Sequence, residues 1–153
     1  MIHKNKLIIW GKELTPSSLC ALAAAVLLLV MTLGQLFSFE DMPGIASAWQ
    51  LPLLSDVAAL TVASLAVLQV IALPALIGMS LPTWLRRISS WAGWLVIGFW
   101  LAIASSLSLS GATVNSGILG EKLPVEAGVS LWVIVLTLAT LRLSASIAAR
   151  RGK

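Results

Sequence analysis

Four stretches of this chain are each long enough and apolar enough to cross a lipid bilayer as a helix. A membrane-spanning helix needs about 20 mostly apolar residues, because each residue advances it by only about 1.5 Å. The predicted spans are residues 18–39, 57–81, 88–109 and 125–149. None of them alternates polar and apolar residues as the strand of a membrane barrel does. The sequence therefore predicts an all-α membrane protein, a four-helix bundle that forms one transmembrane domain over residues 1–153.

The composition argues against a soluble globular domain and against a disordered chain. Apolar residues make up 59% of the chain and charged residues only 10%, whereas soluble domains hold about 45–50% and about 25%. An intrinsically disordered chain has the opposite balance. The single cysteine, Cys20, excludes a disulfide framework within the chain. The net charge of +4 does not indicate nucleic acid as a partner here, because the basic residues lie at the ends of apolar runs.

The basic residues predict the topology. Nine of the ten lysines and arginines lie towards the termini or between spans two and three: Lys4, Lys6, Lys12, Arg86, Arg87, Arg142, Arg150, Arg151 and Lys153. Basic residues are enriched in cytoplasmic loops. The prediction is a multi-pass protein of the bacterial cytoplasmic membrane, with both termini in the cytoplasm. Arg142 is expected to snorkel to the cytoplasmic surface.

The two outer loops differ in character. The first, Glu40–Asp56, contains Trp49 and several aliphatic residues, so we expect a short helix in the interface or folded back onto the bundle. The sequence Ala46-Ser47-Ala48 resembles a signal-peptide cleavage site, but the preceding apolar run exceeds the usual length of about 7–15 residues, which favours an uncleaved span. The second loop, Ser110–Pro124, holds three glycines and is predicted to be flexible.

The chain has seven tryptophans and no tyrosine. Most of them lie near span ends, where an aromatic belt places indole rings at the headgroups; these are Trp10, Trp49, Trp84, Trp91 and Trp94. Trp100 lies near the middle of span three. We interpret Trp100 as a packing residue, with a cofactor-binding role as the alternative.

Gln69 and Pro74 interrupt span two. An unpaired amide is costly in hydrocarbon, and Pro74 leaves the carbonyl of Val70 without its usual helical donor. Two interpretations stay open for Gln69: a hydrogen bond to a neighbouring helix, which we favour, or contact with a ligand such as a quinone at a kink. Gln35, near the outer end of span one, is interpreted in the same way. No cofactor is evident from the sequence, and a quinone is the one that these positions would suit.

The sequence favours a non-catalytic protein without a metal site. It lacks an intramembrane acid or histidine of the kind that proton-coupled transporters use, and it lacks a recognisable catalytic set. Glu40 and Asp41 are the clearest polar surface feature, and they are either partner contacts or a consequence of topology. Ala59, Ala63 and Ala66 of span two are predicted to form a small-residue packing face.

Several segments resemble the DoxX-like and MauE-like families of four-helix membrane proteins. The resemblance covers residues 18–146 and rests on Phe37-Ser38-Phe39-Glu40-Asp41, Gln50-Leu51-Pro52, the run Leu68-Gln69-Val70-Ile71-Ala72-Leu73-Pro74-Ala75-Leu76-Ile77-Gly78 and Leu85-Arg86-Arg87-Ile88. It implies a role beside a partner. MauE-like proteins are linked to maturation of a disulfide-rich periplasmic enzyme, and DoxX-like proteins to respiratory or thiol-stress complexes. Many members carry a glutamate where this chain has Gln69.

The predicted function is an integral membrane accessory or subunit protein of DoxX/MauE-like type. It would act with a membrane protein, a periplasmic protein or another copy of itself, in a redox or maturation process at the outer face. The alternative is a small oligomeric channel or transporter, because four helices leave little room for a pathway inside one chain. A quinone-binding redox subunit that uses Gln69 and Trp100 is the third hypothesis.

Overall fold

The computed structural model contains four long helices, one short helix and one pair of very short strands. It describes residues 8–9, 12–13, 15–49, 57–111 and 113–151. The elements in chain order are β1 (Ile8–Ile9), β2 (Lys12–Glu13), α1 (Pro16–Phe37), α2 (Met42–Ser47), α3 (Ala58–Ile77), α4 (Thr83–Ser110) and α5 (Val129–Arg151). Strands β1 and β2 pair antiparallel ahead of the bundle. The predicted all-α fold with four helices of membrane-spanning length is confirmed.

The four long helices alternate in direction and form a closed ring. Helix α1 packs against α3 and α5, and α4 also packs against α3 and α5. We call the end where α1 and α4 finish the cap end. We call the opposite end, where α4 begins and α5 finishes, the basic end. The outward faces of these helices carry large exposed apolar side chains such as Val26, Leu60 and Leu95, so the chain is a multi-pass integral membrane protein.

Helix α4 begins earlier than the predicted third span. It starts at Thr83, directly after Pro82, whereas the predicted span begins at residue 88. Arg86 and Arg87 therefore lie in the first turns of a helix and not in a loop. They were predicted to lie outside the span because they are charged, but long basic side chains reach water from the end of a helix.

Helix α5 begins later than the predicted fourth span. It starts at Val129, whereas the predicted span begins at residue 125. The reason is local, because Gly128 has a φ of +144° that an α-helix cannot contain. Val125, although apolar, instead pairs through its carbonyl with the backbone N–H of Ser116 at 2.8 Å.

Helix α3 turns one regular stripe towards the core. Its buried residues recur mostly every three or four positions, as on the inner face of a helix; they are Ala58, Val62, Leu65, Ala66, Gln69, Ala72 and Leu76. Ala59 is exposed and Ala63 is only half buried, so the predicted small-residue face is wrong. The alanine spacing fits one helix face, but the neighbouring face, with Val62 and Leu65, is the buried one.

Candidate functional site

Two segments close the cap end of the bundle, and together we call them the cap: residues 38–49 and 113–127. The first contains α2, which packs against α3. Met42 and Ala46 of α2 are buried, and so is Trp49, which follows the helix. The folded-back helix predicted for the first outer loop is therefore confirmed. The quoted segment Gln50-Leu51-Pro52 lies outside the described residues.

The second cap segment, 113–127, is packed against the bundle, and the prediction of a flexible loop is wrong. Ser116, Gly117 and Gly120 are buried. The two glycines have φ values of +73° and +79°, in the left-handed region that glycine adopts without strain. Glycine content indicated flexibility, but these glycines serve tight turns in a packed segment.

Helix α1 and the second cap segment meet backbone to backbone. A Cβ atom added to Gly34 would lie 2.8 Å from the carbonyl carbon of Leu119, and closer still to its oxygen. A Cβ atom added to Gly120 would lie 2.8 Å from Oγ of Ser38 and would collide with the backbone of Gly34. Only glycine at both positions permits this approach.

One hydrogen bond from α1 and one to the first cap segment hold the second cap segment in place. Nε2 of Gln35 donates to the carbonyl of Ile118 at 3.0 Å. The backbone N–H of Glu121 donates to Oγ of Ser38 at 2.9 Å. Gln35 thus bonds to the cap and not to a neighbouring helix, and its Oε1 has no partner among the described residues.

Trp49 connects both cap segments to α4. Its indole N–H donates to the carbonyl of Ser116 at 2.9 Å, and its own carbonyl accepts from Oγ of Ser106 at 3.0 Å. Its ring meets those of Phe99 and Trp100 edge to face, with centroids 5.7 and 5.9 Å away. Trp49 is fully buried, so the aromatic-belt interpretation is wrong for this residue, which is an interior anchor.

Trp100 is fully buried within the same aromatic cluster. This placement agrees with a packing role, although its indole N–H has no acceptor among the described residues. Trp84 and Trp91, in contrast, are 63% and 70% exposed near the basic end, as residues of an aromatic belt would be.

Gln69 meets α1 at Thr32, and the two side chains are buried together. The Thr32 hydroxyl donates to Oε1 of Gln69 at 2.8 Å and lies 2.7 Å from the carbonyl of Leu28, which is a second acceptor. The hydroxyl has one proton for these two acceptors. Nε2 of Gln69 has no partner among the described residues. The contact is the interhelical hydrogen bond that we favoured; a ligand contact stays a prediction.

Pro74 lies inside α3, and a side chain from α4 forms hydrogen bonds with the α3 backbone beside it. Oγ of Ser89 accepts from the backbone N–H of Ala75 at 3.1 Å and lies 3.3 Å from the carbonyl of Ala72, to which it donates. Ser89 is 1% exposed. The polar backbone beside the proline is thus bonded to the neighbouring helix.

Acidic side chains gather on the surface of the cap. Glu40, Asp41 and Glu121 are exposed. A side-chain hydrogen bond with Asp41, together with repulsion from its negative charge, raises the pKa of Glu121. No group of three or more histidine, cysteine or acidic residues in the described part of the chain could hold a metal ion.

Arg142 is buried in the seam between α5 and α4, and the prediction that it snorkels to the surface is wrong. It is 7% exposed. Its Nη2 donates to the carbonyl and to Oγ of Ser90, both at 3.2 Å. Gly93 of α4 has no side chain, and the guanidinium occupies the space beside it. The position of Arg142 along its own helix gives no sign of this space on another helix.

The residues that build the cap were mostly missed by sequence reasoning. Gly34, Ser38, Ser116 and Gly120 contact partners far away along the chain, and no local pattern marks them. A comparison with protein-family models, with curated proteins and with solved structures found no match for this chain.

Proposed function

We propose that this chain is an integral membrane accessory or subunit protein of DoxX/MauE-like type, and that its cap binds a protein partner. The observation that carries the proposal is the construction of the cap as a fixed surface. Gln35 holds it to α1, the bond between Glu121 and Ser38 joins its two segments, and Ser106 holds it to α4. A surface fixed in this way binds with less ordering entropy than a mobile loop.

The charges on the cap favour a basic partner. Asp41 and Glu121 belong to different cap segments, yet they lie side by side although both are acids. Neighbouring like charges destabilise a fold, and functional sites are where such arrangements concentrate. A partner that brings a lysine or arginine would relieve the repulsion and would be steered to the surface by it.

The charge asymmetry supports a cap that faces away from the cytoplasm of a bacterial cell. The described cap holds four acids and one base: Glu40, Asp41, Glu121, Glu126 and Lys122. The basic end has the arginines of α4 and α5, which the positive-inside rule assigns to the cytoplasm. A partner in redox chemistry or enzyme maturation at the outer face follows from the family resemblance.

Co-purification after cross-linking in mild detergent tests the proposal. The double variant Asp41→Asn, Glu121→Gln should fold normally but lose most of the captured partner, and the deletion phenotype should persist in cells that express it. Glu126→Gln is the matched control, because it removes one exposed charge from the same cap. High salt should weaken capture by the native chain.

Two results would contradict the proposal. One is full partner capture and full complementation by the double variant. The other is ion or solute flux through liposomes containing the chain that cap variants leave unchanged, which would support a small oligomeric channel or transporter.

A further inference from the structure

Arg142 is a cation without an anion among the residues that the structure describes. It lies eight residues before Arg150, the next charged residue along α5, and thus about 12 Å from it along the helix at about 1.5 Å per residue. In the part of the chain that the structure describes, its Nη2 donates to the neutral oxygens of Ser90, and its Nε is buried without an acceptor. A buried charge is strongly unfavourable unless an opposite charge compensates it.

The guanidinium lies flat on α4. A Cβ atom added to Gly93 would lie 3.2 to 3.3 Å from three guanidinium atoms, Nη2, Cζ and Nε. Three nearly equal distances mean that the plane of the group rests on Gly93. One face is therefore covered by backbone, and the group can bind an anion only through its edge. The planar edge of arginine suits the paired oxygens of a phosphate or carboxylate.

A second arginine lies on the same stripe of α4. Arg86, Ser90 and Gly93 are spaced by four and three residues, which places them on one helix face. Arg86 is exposed and lies in the first turn of α4, at the basic end. The α4–α5 seam therefore has one cation at its rim and one deeper inside.

The described acids cannot supply the missing charge. The carboxylates whose side chains the structure describes are on the cap, at the opposite end of the bundle: Glu40, Asp41, Glu121 and Glu126. The compensating anion must therefore come from elsewhere. Phospholipid phosphates are the anions of the membrane interface, and basic pockets between membrane helices bind acidic headgroups.

We propose that the α4–α5 seam at the basic end binds the phosphate of an anionic phospholipid. Arg142 is the deep contact and Arg86 is the rim contact. Ser90 and the bare surface of Gly93 position the deep guanidinium. The site is separate from the cap, so a test of lipid binding does not depend on whether the cap binds a protein.

Native mass spectrometry of the full chain offered equal amounts of phosphatidylglycerol and phosphatidylcholine tests the proposal. The native chain should retain phosphatidylglycerol in preference. Arg142→Gln should reduce that preference about tenfold, and Arg86→Gln about fivefold, the effect of one interfacial charge. Arg87→Gln is the matched control, because it removes an adjacent exposed charge from a different helix face, and it should change the preference less than about twofold.

Further variants keep the test decisive if Arg142→Gln does not fold. Gly93→Ala keeps both charges but displaces the deep guanidinium, so it should weaken retention of phosphatidylglycerol in a folded protein. Glu13 is an acid whose side chain lies outside the described residues. Glu13→Gln should leave the lipid preference unchanged. The proposal is overturned if the native chain shows no preference, or if Arg86→Gln and Arg87→Gln have equal effects.

Thermal unfolding in nanodiscs distinguishes binding of a lipid from binding of a free anion. The native chain should melt at a higher temperature in nanodiscs that contain phosphatidylglycerol than in phosphatidylcholine alone, and Arg142→Gln should remove the difference. Inorganic phosphate added to the phosphatidylcholine nanodiscs should not reproduce the shift. If it does, the seam is a site for a soluble anion and the lipid proposal is wrong.

Discussion

Replacing Gly34 by alanine tests whether the cap is docked backbone to backbone. The new Cβ would lie 2.8 Å from the carbonyl carbon of Leu119, whereas ordinary contact begins at 3.4 Å, so the second cap segment must move by at least 0.6 Å. Such a movement strains the bonds from Gln35 to Ile118 and from Glu121 to Ser38. Overpacking costs about 1–3 kcal/mol, and each bond contributes about 1 kcal/mol. We expect Gly34→Ala to lower the free energy of unfolding by roughly 2–4 kcal/mol.

Helix propensity predicts the opposite sign, which makes the experiment discriminating. In a helix interior, alanine is favoured over glycine by about 1 kcal/mol. Gly98, in the middle of α4, is the matched control, because a Cβ atom there would meet nothing within 4 Å. Gly98→Ala should therefore be neutral or stabilising in the same detergent.

Unfolding and hydrogen exchange measure the two parts of this prediction. Thermal unfolding in detergent reports global stability, and exchange at the amides of residues 113–127 reports whether the cap has separated from α1. Gly34→Ala should melt at a lower temperature and exchange faster in that segment. Equal stability of Gly34→Ala and Gly98→Ala, with unchanged exchange, would refute the close backbone approach.

Three further predictions concern single side chains. The pKa of Glu121 is raised by its side-chain hydrogen bond with Asp41 and by the repulsion between the two charges, so the folded state holds a proton more tightly than the unfolded state. Stability should therefore increase as the pH falls towards 4.5, the ordinary pKa of this group, and pH-dependent melting should lose this increase in Glu121→Gln. Gln69→Leu should change the free energy of unfolding by only about 0.6 kcal/mol, and a variant of native stability that behaves like the deletion in cells would favour the ligand interpretation. Leu65→Ala should cost about 2 kcal/mol or more by leaving a cavity, measurably more than Ala63→Leu at its half-buried site; equal melting temperatures would contradict this difference.

The four long helices could be predicted because membrane-spanning length and apolarity are local properties of the chain. The folded-back helix of the first cap segment was predicted from its apolar residues, but the contacts of the cap could not be predicted, because they join residues far apart in sequence. Gln35 and Ile118 are 83 positions apart, and Trp49 and Ser116 are 67 apart. The apolar residues of the first outer loop, Trp49 among them, indicated a segment that avoids water. A tryptophan suits a buried position and a membrane-belt position equally well, so the sequence could not distinguish the two.

Charge predicted the position of one arginine and not of the other. Arg86 and Arg142 were both expected at the membrane surface because they are cations. Arg86 is exposed at the basic end, although it lies in a helix and not in a loop. Arg142 is buried because Gly93 on another helix leaves room for it, and nothing near Arg142 in the sequence indicates that room.

The polar residues inside the spans mark the junctions of this bundle. Gln69 joins α3 to α1, Ser89 joins α4 to α3, and Arg142 joins α5 to α4. Apolar faces in lipid select a neighbour weakly, because lipid tails are as apolar as leucine. These bonds therefore fix which faces meet more than they add to stability.

The difference between a neutral amide and a cation explains why the lipid site is placed at Arg142 and not at Gln69. Each side chain retains a group with no partner among the described residues. For a neutral amide the remaining penalty is about 1–3 kcal/mol, which a packed membrane protein can tolerate. For a cation inside the span, one unfilled position also leaves the whole charge uncompensated. A ligand therefore gains more by binding Arg142 than by binding Gln69. The ligand that gains most carries a negative charge and lies at the membrane interface near the basic end.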